Sequence, residues 1–446
     1  MADLLDIADR VVGWAVDGEQ VEAVVVNERE VEVRGYDGEV ESLTVAESQG
    51  IGVRVVSDGR QGFAYAGTLD GNAMSEVLAE ARDNAAFATP DEYAGLAVPD
   101  DVPVLDLDLF RSELVDYQMD DKVAMALELE RRTSEADSRI SGVESAEYSD
   151  VVSETAVVTS TGIRATTRET GCSLMVSALA EEHGETQTGF GFSLGRHPGE
   201  LDIEIAAADA AVRATRMLGS VKPPSERLTV VFDPWVCAQF LGVVGGTLSG
   251  EMVLKGRSLF AERLGDEVAA PALTLIDDPT DTAAFTATAT DGEGLATRRN
   301  VLIETGRLDR FVHNSWTARR SGTCSTGSAI RGYSSTPGVG VQAVSLLPGS
   351  EDPADLIGAI NDGVLVQSVT GLHSGVNPVS GDFSTGAEGL RIRNGELAEP
   401  LREFTIGSTI QRMLRNVTGI GNDLAWQPMS AAGVTLVIGE LTVSGA

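Results

Sequence analysis

Lysine is almost absent from this chain of 446 residues, which carries only Lys122, Lys222 and Lys255. Arginine makes up the rest of the 33 basic residues, which face 68 acidic residues, and the formal net charge is −35. Such an acidic excess indicates adaptation to multimolar salt, as in a halophilic organism, because a Debye length of about 3 Å at 1 M salt screens the repulsion. The lack of basic runs argues against direct contact with nucleic acid, which requires a basic footprint.

Cysteines and long apolar segments are also scarce. The three cysteines, Cys172, Cys237 and Cys324, lack CxxC spacing. An odd number disfavours a disulfide framework and suits a reducing compartment. No apolar run reaches the ~18 residues that a membrane helix needs, and the acidic first fifteen residues do not resemble a signal peptide. We therefore expect a soluble cytoplasmic protein without a membrane partner.

The sequence alternates between helical and strand periodicity and predicts an α+β fold in three parts. Residues 1–100 are interpreted as an N-terminal α+β domain of helix–sheet–helix type, and residues 110–220 as a middle α+β domain. A linker rich in proline and aspartate separates them, and Pro223-Pro224 marks the next boundary. Residues 227–446 contain strands, glycines and irregular loops, which predict a β-rich C-terminal domain.

Local signals predict the elements of the N-terminal part. Apolar residues at helical spacing predict helices over Leu4–Val16 and Ala73–Ala88, the second capped by Asn72. Between them, short strands are expected to form a meander. Its turns are predicted at Asp37-Gly38 and Asp58-Gly59, since both dipeptides favour the left-handed backbone of tight hairpins.

The most informative stretch lies in the C-terminal part. Leu228–Phe232 is an apolar, β-branched run typical of a buried strand, Asp233 is suited to cap a helix, and Pro234 to begin it. Residues 235–248 are apolar on every face, as in a buried helix. Three glycines interrupt this helix at positions 242, 245 and 246. Because each costs roughly 1 kcal/mol in a helix interior, we expect a close backbone approach, a bend or a helix end there.

This strand and helix, followed by Lys255-Gly256-Arg257-Ser258, resemble a region of the TldD/PmbA family, also known as the modulator of DNA gyrase family. Further segments resemble the family in the same order: Thr297-Arg298-Arg299, Asp382-Phe383-Ser384 and Gly421-Asn422-Asp423. The resemblance spans nearly the full chain. It implies the fold of a metallopeptidase family that acts on unfolded or short peptides.

In the TldD branch of the family, the helix carries the zinc motif HExxxH, and a cysteine near the C-terminus completes the site. Counting back from Lys255 places the two histidine positions at Leu241 and Gly246, and the glutamate position at Gly242. None of these residues can bind zinc or act as a general base, and no cysteine follows Asn422. The resemblance is therefore to the PmbA branch, also called TldE, which lacks the motif.

The resemblance implies that this chain is the subunit without zinc in a heteromeric peptidase, with zinc in a TldD-like partner. No catalytic residue, metal ligand or cofactor is expected in this chain. Leu241, Gly242 and Gly246 are expected to line a cleft for the peptide substrate, Lys255 to support it, and strand addition to hold the peptide. Whether the chain forms a homodimer without its partner stays open.

Other readings remain at this point. His313 and His373, with Asp277, Asp278, Asp382 or Cys324, have the chemistry for a different metal site. A nucleophile paired with a histidine is a second alternative, with three candidates in one loop: Cys324, Ser325 and Ser328. Either would make the chain a stand-alone hydrolase. A scaffold or binding protein without any peptidase role is the remaining alternative.

Overall fold

A computed structural model describes residues 3–445. The first half of the chain forms one module of helices and long strands. Its elements are α1 (Leu4–Val12), β1 (Gln20–Tyr36), β2 (Glu39–Ser57), β3 (Arg60–Ala66), α2 (Gly71–Phe87), α3 (Ser112–Val115), α4 (Met119–Ala136), β4 (Ile140–Thr159), β5 (Arg164–Glu182), β6 (Glu185–Gly195) and α5 (Ile203–Thr215). The six strands form a single antiparallel sheet in the order β3-β2-β1-β4-β5-β6.

This sheet joins the predicted N-terminal and middle domains. β1 pairs with β4 from Glu22 opposite Thr159 to Gly35 opposite Ala146, so the boundary near residue 105 divides the sequence but not the sheet. Two hydrophobic clusters lie along the sheet, one beneath α1 and α2 and the other beneath α4 and α5. Strands of 17 to 20 residues make this sharing feasible, because each extends roughly 55–65 Å.

The predicted turns are confirmed at Asp37-Gly38 and Asp58-Gly59, where all four residues have positive φ. The predicted cap of the second helix is wrong. Asp70, not Asn72, accepts a hydrogen bond from the Ala73 amide at 3.1 Å, so the helix begins two residues earlier than the sequence suggested. In β1 and in β2, short strands expected separately are parts of one long strand, because the polar residues between them remain paired within the sheet.

The second half of the chain forms a β-rich module, as predicted. Its elements are β7 (Glu226–Phe232), α6 (Pro234–Thr247), α7 (Gly250–Leu254), β8 (Leu275–Asp277), β9 (Asn300–Glu304), β10 (Arg307–Leu308), α8 (Ser315–Ser321), β11 (Ala329–Ile330), β12 (Gly338–Val339), β13 (Val344–Leu346), α9 (Pro353–Gly358), β14 (Asp362–Thr370), α10 (Leu372–Gly375), β15 (Asp382–Arg393), β16 (Glu396–Thr409), α11 (Ile410–Arg415), β17 (Val417–Ile420), β18 (Ala425–Trp426), β19 (Ala432–Gly433) and β20 (Leu436–Ser444).

The main sheet of this module closes on itself. Its order is β16-β15-β14-β7-β20-β17, and β20 additionally pairs with β16. β20 makes closure possible because its first half lies beside β17 and its second half beside β16, while its other edge follows β7. α6 packs against this sheet, and both contribute to the largest hydrophobic cluster of the molecule.

Four buried charges connect the two modules. The Arg54 Nη2 atom lies 2.7 Å from Glu22 Oε2 and 3.4 Å from Glu293 Oε1, and Arg331 forms a further ion pair with Glu22. These side chains are at most 3% exposed. Glu22 and Arg54 belong to the first sheet, whereas Glu293 and Arg331 belong to loops of the second module. The buried-charge cluster of Glu22, Arg54, Glu293 and Arg331 therefore fixes the contact between the modules.

Candidate functional site

The helix α6 is held at its N-terminus by contacts to both modules. Asp233 caps it as predicted, with Oδ1 accepting from the Val236 amide at 2.9 Å, and Pro234 is its first residue. Oδ2 of Asp233 lies 2.9 Å from Arg213 Nη2 on α5. Burial raises the pKa of Asp233, although Arg213 acts in the opposite direction. The start of α6 is thus tied to the first module by an ion pair.

One strip of α6 is accessible although the helix is apolar all round. Trp235, Gln239, Gly242 and Gly246 recur at helical spacing; the first three are half-buried and Gly246 is exposed. Leu241, by contrast, is fully buried in the core. Its predicted position in a cleft is wrong, because residue 241 lies about 100° around the helix from residue 242. The accessible strip, defined as Trp235, Gln239, Gly242 and Gly246, is the candidate site.

The three glycines of α6 have different surroundings. A Cβ atom at Gly242 or Gly246 would meet nothing within 4 Å, so both positions face open space. A Cβ atom at Gly245 would lie 2.7 Å from Val341 Cγ2, which is closer than normal packing allows. The expected close approach therefore occurs at Gly245 alone, and the other two glycines keep the accessible strip smooth.

The N-terminal end of the accessible strip is aromatic. The ring centroid of Trp235 lies 4.6 Å from that of Phe190 and 6.0 Å from that of Phe192. Both phenylalanines belong to β6 of the first module. One turn along the helix, the Oε1 atom of Gln239 is buried and accepts no hydrogen bond from any residue between 3 and 445. A buried acceptor without a donor is costly. Gln239 is therefore the polar group on this strip with the greatest need of a partner.

The segment that the family resemblance associates with the third zinc ligand also contacts α6. The Gly433 backbone on β19 packs against the Pro234 carbonyl so closely that a Cβ atom would collide with it. Residues 425–433 of this segment contain Gln427, Met429 and Ser430 but no cysteine. Zinc takes thiolate, imidazole or carboxylate ligands. The amide, indole and glycines of the accessible strip supply none of these, so the residues here do not fit the family's zinc ion.

Lys255 follows α7 and lies on the surface. Its Nζ atom is 2.6 Å from Glu251 Oε1 one turn earlier, and the lysine side chain is 50% exposed. An exposed pair of this kind contributes at most about 1 kcal/mol to stability. Within the described residues, this local pair is the only ion pair of Lys255, and it does not connect Lys255 to the accessible strip. The predicted support of a cleft by Lys255 stays a prediction.

The two histidines considered for another metal site, His313 and His373, differ in their exposure and in their hydrogen bonds. His313 is buried, with Nδ1 3.2 Å from Thr317 Oγ1, and burial lowers its pKa. His373 is exposed on α10. Asp277 is buried with one oxygen bonded to two backbone amides, and burial raises its pKa to about 6. Within residues 3–445, no three His, Cys, Asp or Glu side chains come together as a metal site would require.

The loop of nucleophile candidates does not assemble a catalytic pair. Ser325 Oγ donates to the carbonyl oxygen of His313, not to its ring, at 3.2 Å. Ser328 Oγ is buried and bonded to Thr326 Oγ1 at 2.9 Å, and Cys324 is exposed. In the part of the chain that the structure describes, none of the three side chains is hydrogen-bonded to a histidine ring.

Sequence reasoning proposed Gly242 and Gly246 for the accessible strip but missed Trp235 and Gln239, because α6 is apolar on all sides and the sequence pattern favours no outward face. It also missed the buried-charge cluster, which lies outside the strip. The buried-charge cluster joins Glu22 to Arg331 across 309 positions, and nothing local marks either residue as a partner of the other. Among the described residues, none of the helices is long and apolar enough to cross a membrane.

Comparison with known proteins matches this arrangement along nearly the whole chain. Residues 21–85, 113–218 and 225–445 match domain 1, the central domain and the C-terminal domain of the PmbA/TldA metallopeptidases. The metalloprotease PmbA of Escherichia coli O157:H7 is 27% identical over 413 residues, which is 92% of this chain and 88% of that protein.

Solved structures share the fold. A modulator of DNA gyrase from Thermotoga maritima superposes with a TM-score of 0.91 at 24% identity, covering 98% of this chain and 99% of that one. TldE from Thermococcus kodakarensis superposes with a TM-score of 0.88 at 24% identity, covering 99% of both chains. The order of the domains, the sequence relationship and the fold agree, and the chain belongs to the PmbA/TldD metallopeptidase family.

Proposed function

We propose that this chain is the subunit without zinc in a heteromeric peptidase, and that a TldD-like relative supplies the metal. The observation that carries the proposal is the accessible strip of α6. It contains two of the three positions that the family resemblance assigns to the zinc motif, Gly242 and Gly246, faces open space at both, and offers no metal ligand or general base. PmbA of Escherichia coli O157:H7, which matches 92% of this chain, is a metalloprotease, and this makes peptide hydrolysis the reaction to test.

In this assembly the accessible strip acts as one wall of the peptide-binding cleft. Gly242 and Gly246 leave room for a main chain to approach the helix. Gln239 supplies an unpaired carbonyl that accepts an N–H group once its side chain turns outward. Trp235, fixed against Phe190, ends the wall with an apolar surface. These groups bind and orient an extended peptide, and the partner's metal supplies the hydrolytic chemistry.

The test measures zinc content and peptide hydrolysis for the chain alone, for a TldD-like relative alone and for their mixture. We expect no stoichiometric zinc in the isolated chain after dialysis, no cleavage of unfolded peptides by it, and chelator-sensitive cleavage by the mixture. About one zinc per chain would overturn the proposal. Chelator-insensitive cleavage by the isolated chain would also overturn it and would favour a nucleophile such as Cys324.

A matched pair of variants tests the wall. Gly246→Leu places a side chain in the open space of the accessible strip, and Gly71→Leu does the same at another exposed helical glycine with open surroundings. Joint activity is expected to fall at least tenfold for Gly246→Leu and to stay unchanged for Gly71→Leu, with both chains folded. Equal activity of the two variants would show that the accessible strip does not contact the peptide.

A further inference from the structure

A cleft lies at the seam between the two modules, beside the buried-charge cluster. It has a volume of about 320 Å³ and is lined by the first sheet, the segment after α2, α7 and the start of α8. Its charged lining residues are Arg54, Asp91 and Glu251. The four residues of the accessible strip do not line it, so this seam cleft, as we call it, is a separate cavity. Its volume lies at the lower end of the range for small-molecule sites, roughly 300–1,000 Å³.

Arg54 brings a guanidinium group with one unpaired nitrogen to the seam cleft. Its Nε and Nη2 atoms donate to the two oxygens of Glu22 at 3.0 and 2.7 Å, and Nη2 also donates to Glu293 Oε1 at 3.4 Å. Nη1 donates no hydrogen bond within residues 3–445 and is not fully enclosed by protein, although the side chain as a whole is only 3% exposed. A fixed cationic donor with free N–H groups is suited to an anion, and the planar fork of arginine favours a carboxylate.

The other two charged residues of the seam cleft are acidic. Asp91 accepts hydrogen bonds from the Tyr93 amide at 2.9 Å and from Trp316 Nε1 at 2.7 Å. These bonds hold the pKa of Asp91 below its usual value, so its carboxylate is charged, and it retains lone pairs for a further donor. An anion bound at Arg54 would therefore meet the negative charges of Asp91 and Glu251. A ligand that also carries a cationic group would pair with them instead.

The uncharged part of the lining is mixed, as expected for an organic ligand. Gln61, Thr89 and Thr336 contribute amide and hydroxyl groups, and Trp316 and Pro337 contribute apolar surface. The few polar groups can fix the orientation of a ligand, while the apolar ones contact its carbon atoms. The seam cleft thus has the chemistry for a small organic molecule with a carboxylate and an ammonium group.

We propose that the seam cleft binds a small zwitterion, either an α-amino acid or a short peptide, with its carboxylate on Arg54 Nη1 and its ammonium group on Asp91. Arg54 belongs to the first sheet, and Trp316, which orients Asp91, belongs to α8 of the second module. A bound ligand therefore strengthens the contact between the modules. Peptide hydrolysis creates both terminal groups, so its products have the right chemistry, but binding itself requires neither a partner nor the proposed reaction.

Ligands with one charge blocked test the two contacts on the isolated full chain. Isothermal calorimetry in concentrated KCl compares alanine and dialanine, each with its N-acetyl derivative and its C-terminal amide. At least one of the two free zwitterions should bind. Each blocking group should weaken its binding at least tenfold, because it removes one charge-assisted hydrogen bond. The tighter of alanine and dialanine identifies the ligand as an amino acid or a peptide.

Variants test the location of the site. Thr336→Trp places a large side chain in the seam cleft, and Thr186→Trp places one on the exposed surface of β6. Only Thr336→Trp should abolish binding. Asp91→Asn should weaken binding of the free zwitterion at least tenfold and leave that of the N-acetyl derivative unchanged, since this derivative has no ammonium group. Asp100→Asn, at an acid that pairs with Arg298 outside the seam cleft, should affect neither.

Absence of binding by both alanine and dialanine at millimolar concentration would overturn the proposal, as would equal affinity for free and blocked forms. Equal loss of binding in Thr336→Trp and Thr186→Trp would also overturn it, because the site would then lie elsewhere. If a variant does not fold, the ligand series on the wild type decides alone. Since every measurement uses the isolated chain, a failure of the proposed peptidase role would not alter these outcomes.

Discussion

The buried-charge cluster and the accessible strip of α6 invert the usual distribution of polarity. The cluster holds two acids and two arginines at 3% exposure or less, whereas the accessible strip carries no ionisable side chain although solvent reaches it. Elsewhere the surface carries the large acidic excess. The contrast indicates that balanced charge in this molecule joins the modules, while the candidate cleft is left neutral and smooth.

The largest expected effect is the loss of stability at low salt, which should arise from the surface charges and not from the buried ones. Lowering KCl from multimolar concentration to 0.01 M should unfold the chain, a loss of about 5–15 kcal/mol. The reason is that exposed acids repel over about 30 Å at 0.01 M, whereas the buried cluster is balanced and screened little by salt. Thermal melts across KCl concentrations measure the effect. A melting temperature that does not rise with salt would contradict adaptation to high salt.

The next effect comes from the cluster itself. Arg54→Met leaves Glu22 with one arginine and removes the ion-pair partner of Glu293, and should cost about 3–5 kcal/mol, as for other broken buried pairs. Arg131→Met is the control, since Arg131 is 46% exposed in its surface pairs and should cost no more than about 1 kcal/mol. Urea unfolding in concentrated KCl compares the two. Equal losses would mean that burial does not distinguish the two sets of charges.

Buried acids with and without a counter-charge should respond to pH in opposite directions. Burial opposes ionisation of Glu22, but Arg54 and Arg331 prevail and hold its pKa below the usual value. Its contribution to stability is therefore present above the unfolded pKa and lost as pH falls. Within residues 3–445, Asp277 has no such partner, and burial raises its pKa to about 6. Its contribution is present below the unfolded pKa of about 3.9 and lost as pH rises through about 6.

Asp277→Asn tests this sign. The variant should gain on the order of 1–3 kcal/mol relative to the wild type between pH 4 and pH 7, measured by urea unfolding at each pH in the same salt. A stability difference between the two proteins that does not change with pH would show that folding does not raise the pKa of Asp277.

The smallest effect distinguishes two neighbouring glycines of α6. Gly245→Ala forces a methyl group against Val341 and should cost about 1–3 kcal/mol. Gly246→Ala enters open space and should stabilise the helix by about 0.5–1 kcal/mol. Thermal melts of both variants measure the difference. If both substitutions changed the stability in the same direction, Gly245 would not lie on the packed face of α6 and Gly246 on its open face.

The sequence was informative where a structural signal is local. Asp233 and Pro234 correctly predict the start of α6, because helix capping depends on residues within one turn of the helix end. Asp37-Gly38 announces a hairpin because only certain residues accept positive φ. Asn72 misled because Asp70, two residues earlier, also caps well. These signals also sufficed to predict the α+β class and the β-rich second half.

The rest depended on contacts between distant residues. Leu241 and Gly242 are adjacent in a uniformly apolar helix, and only packing against the closed sheet decides which of them is buried. Arg54 is hydrogen-bonded to Glu293, which lies 239 positions away in the sequence. The single first sheet was also hidden, because the strands β1 and β4 lie on opposite sides of the linker.

The shared first sheet has a consequence for how the chain breaks. Since β1 of the N-terminal segment lies between β2 and β4, a protease that cuts the linker near residue 105 leaves two fragments still joined by a full ladder of backbone hydrogen bonds. Neither fragment retains an intact sheet when separated, because each would expose a long strand edge. The nicked chain should therefore persist as a non-covalent complex, and either fragment produced alone should require the other in order to fold.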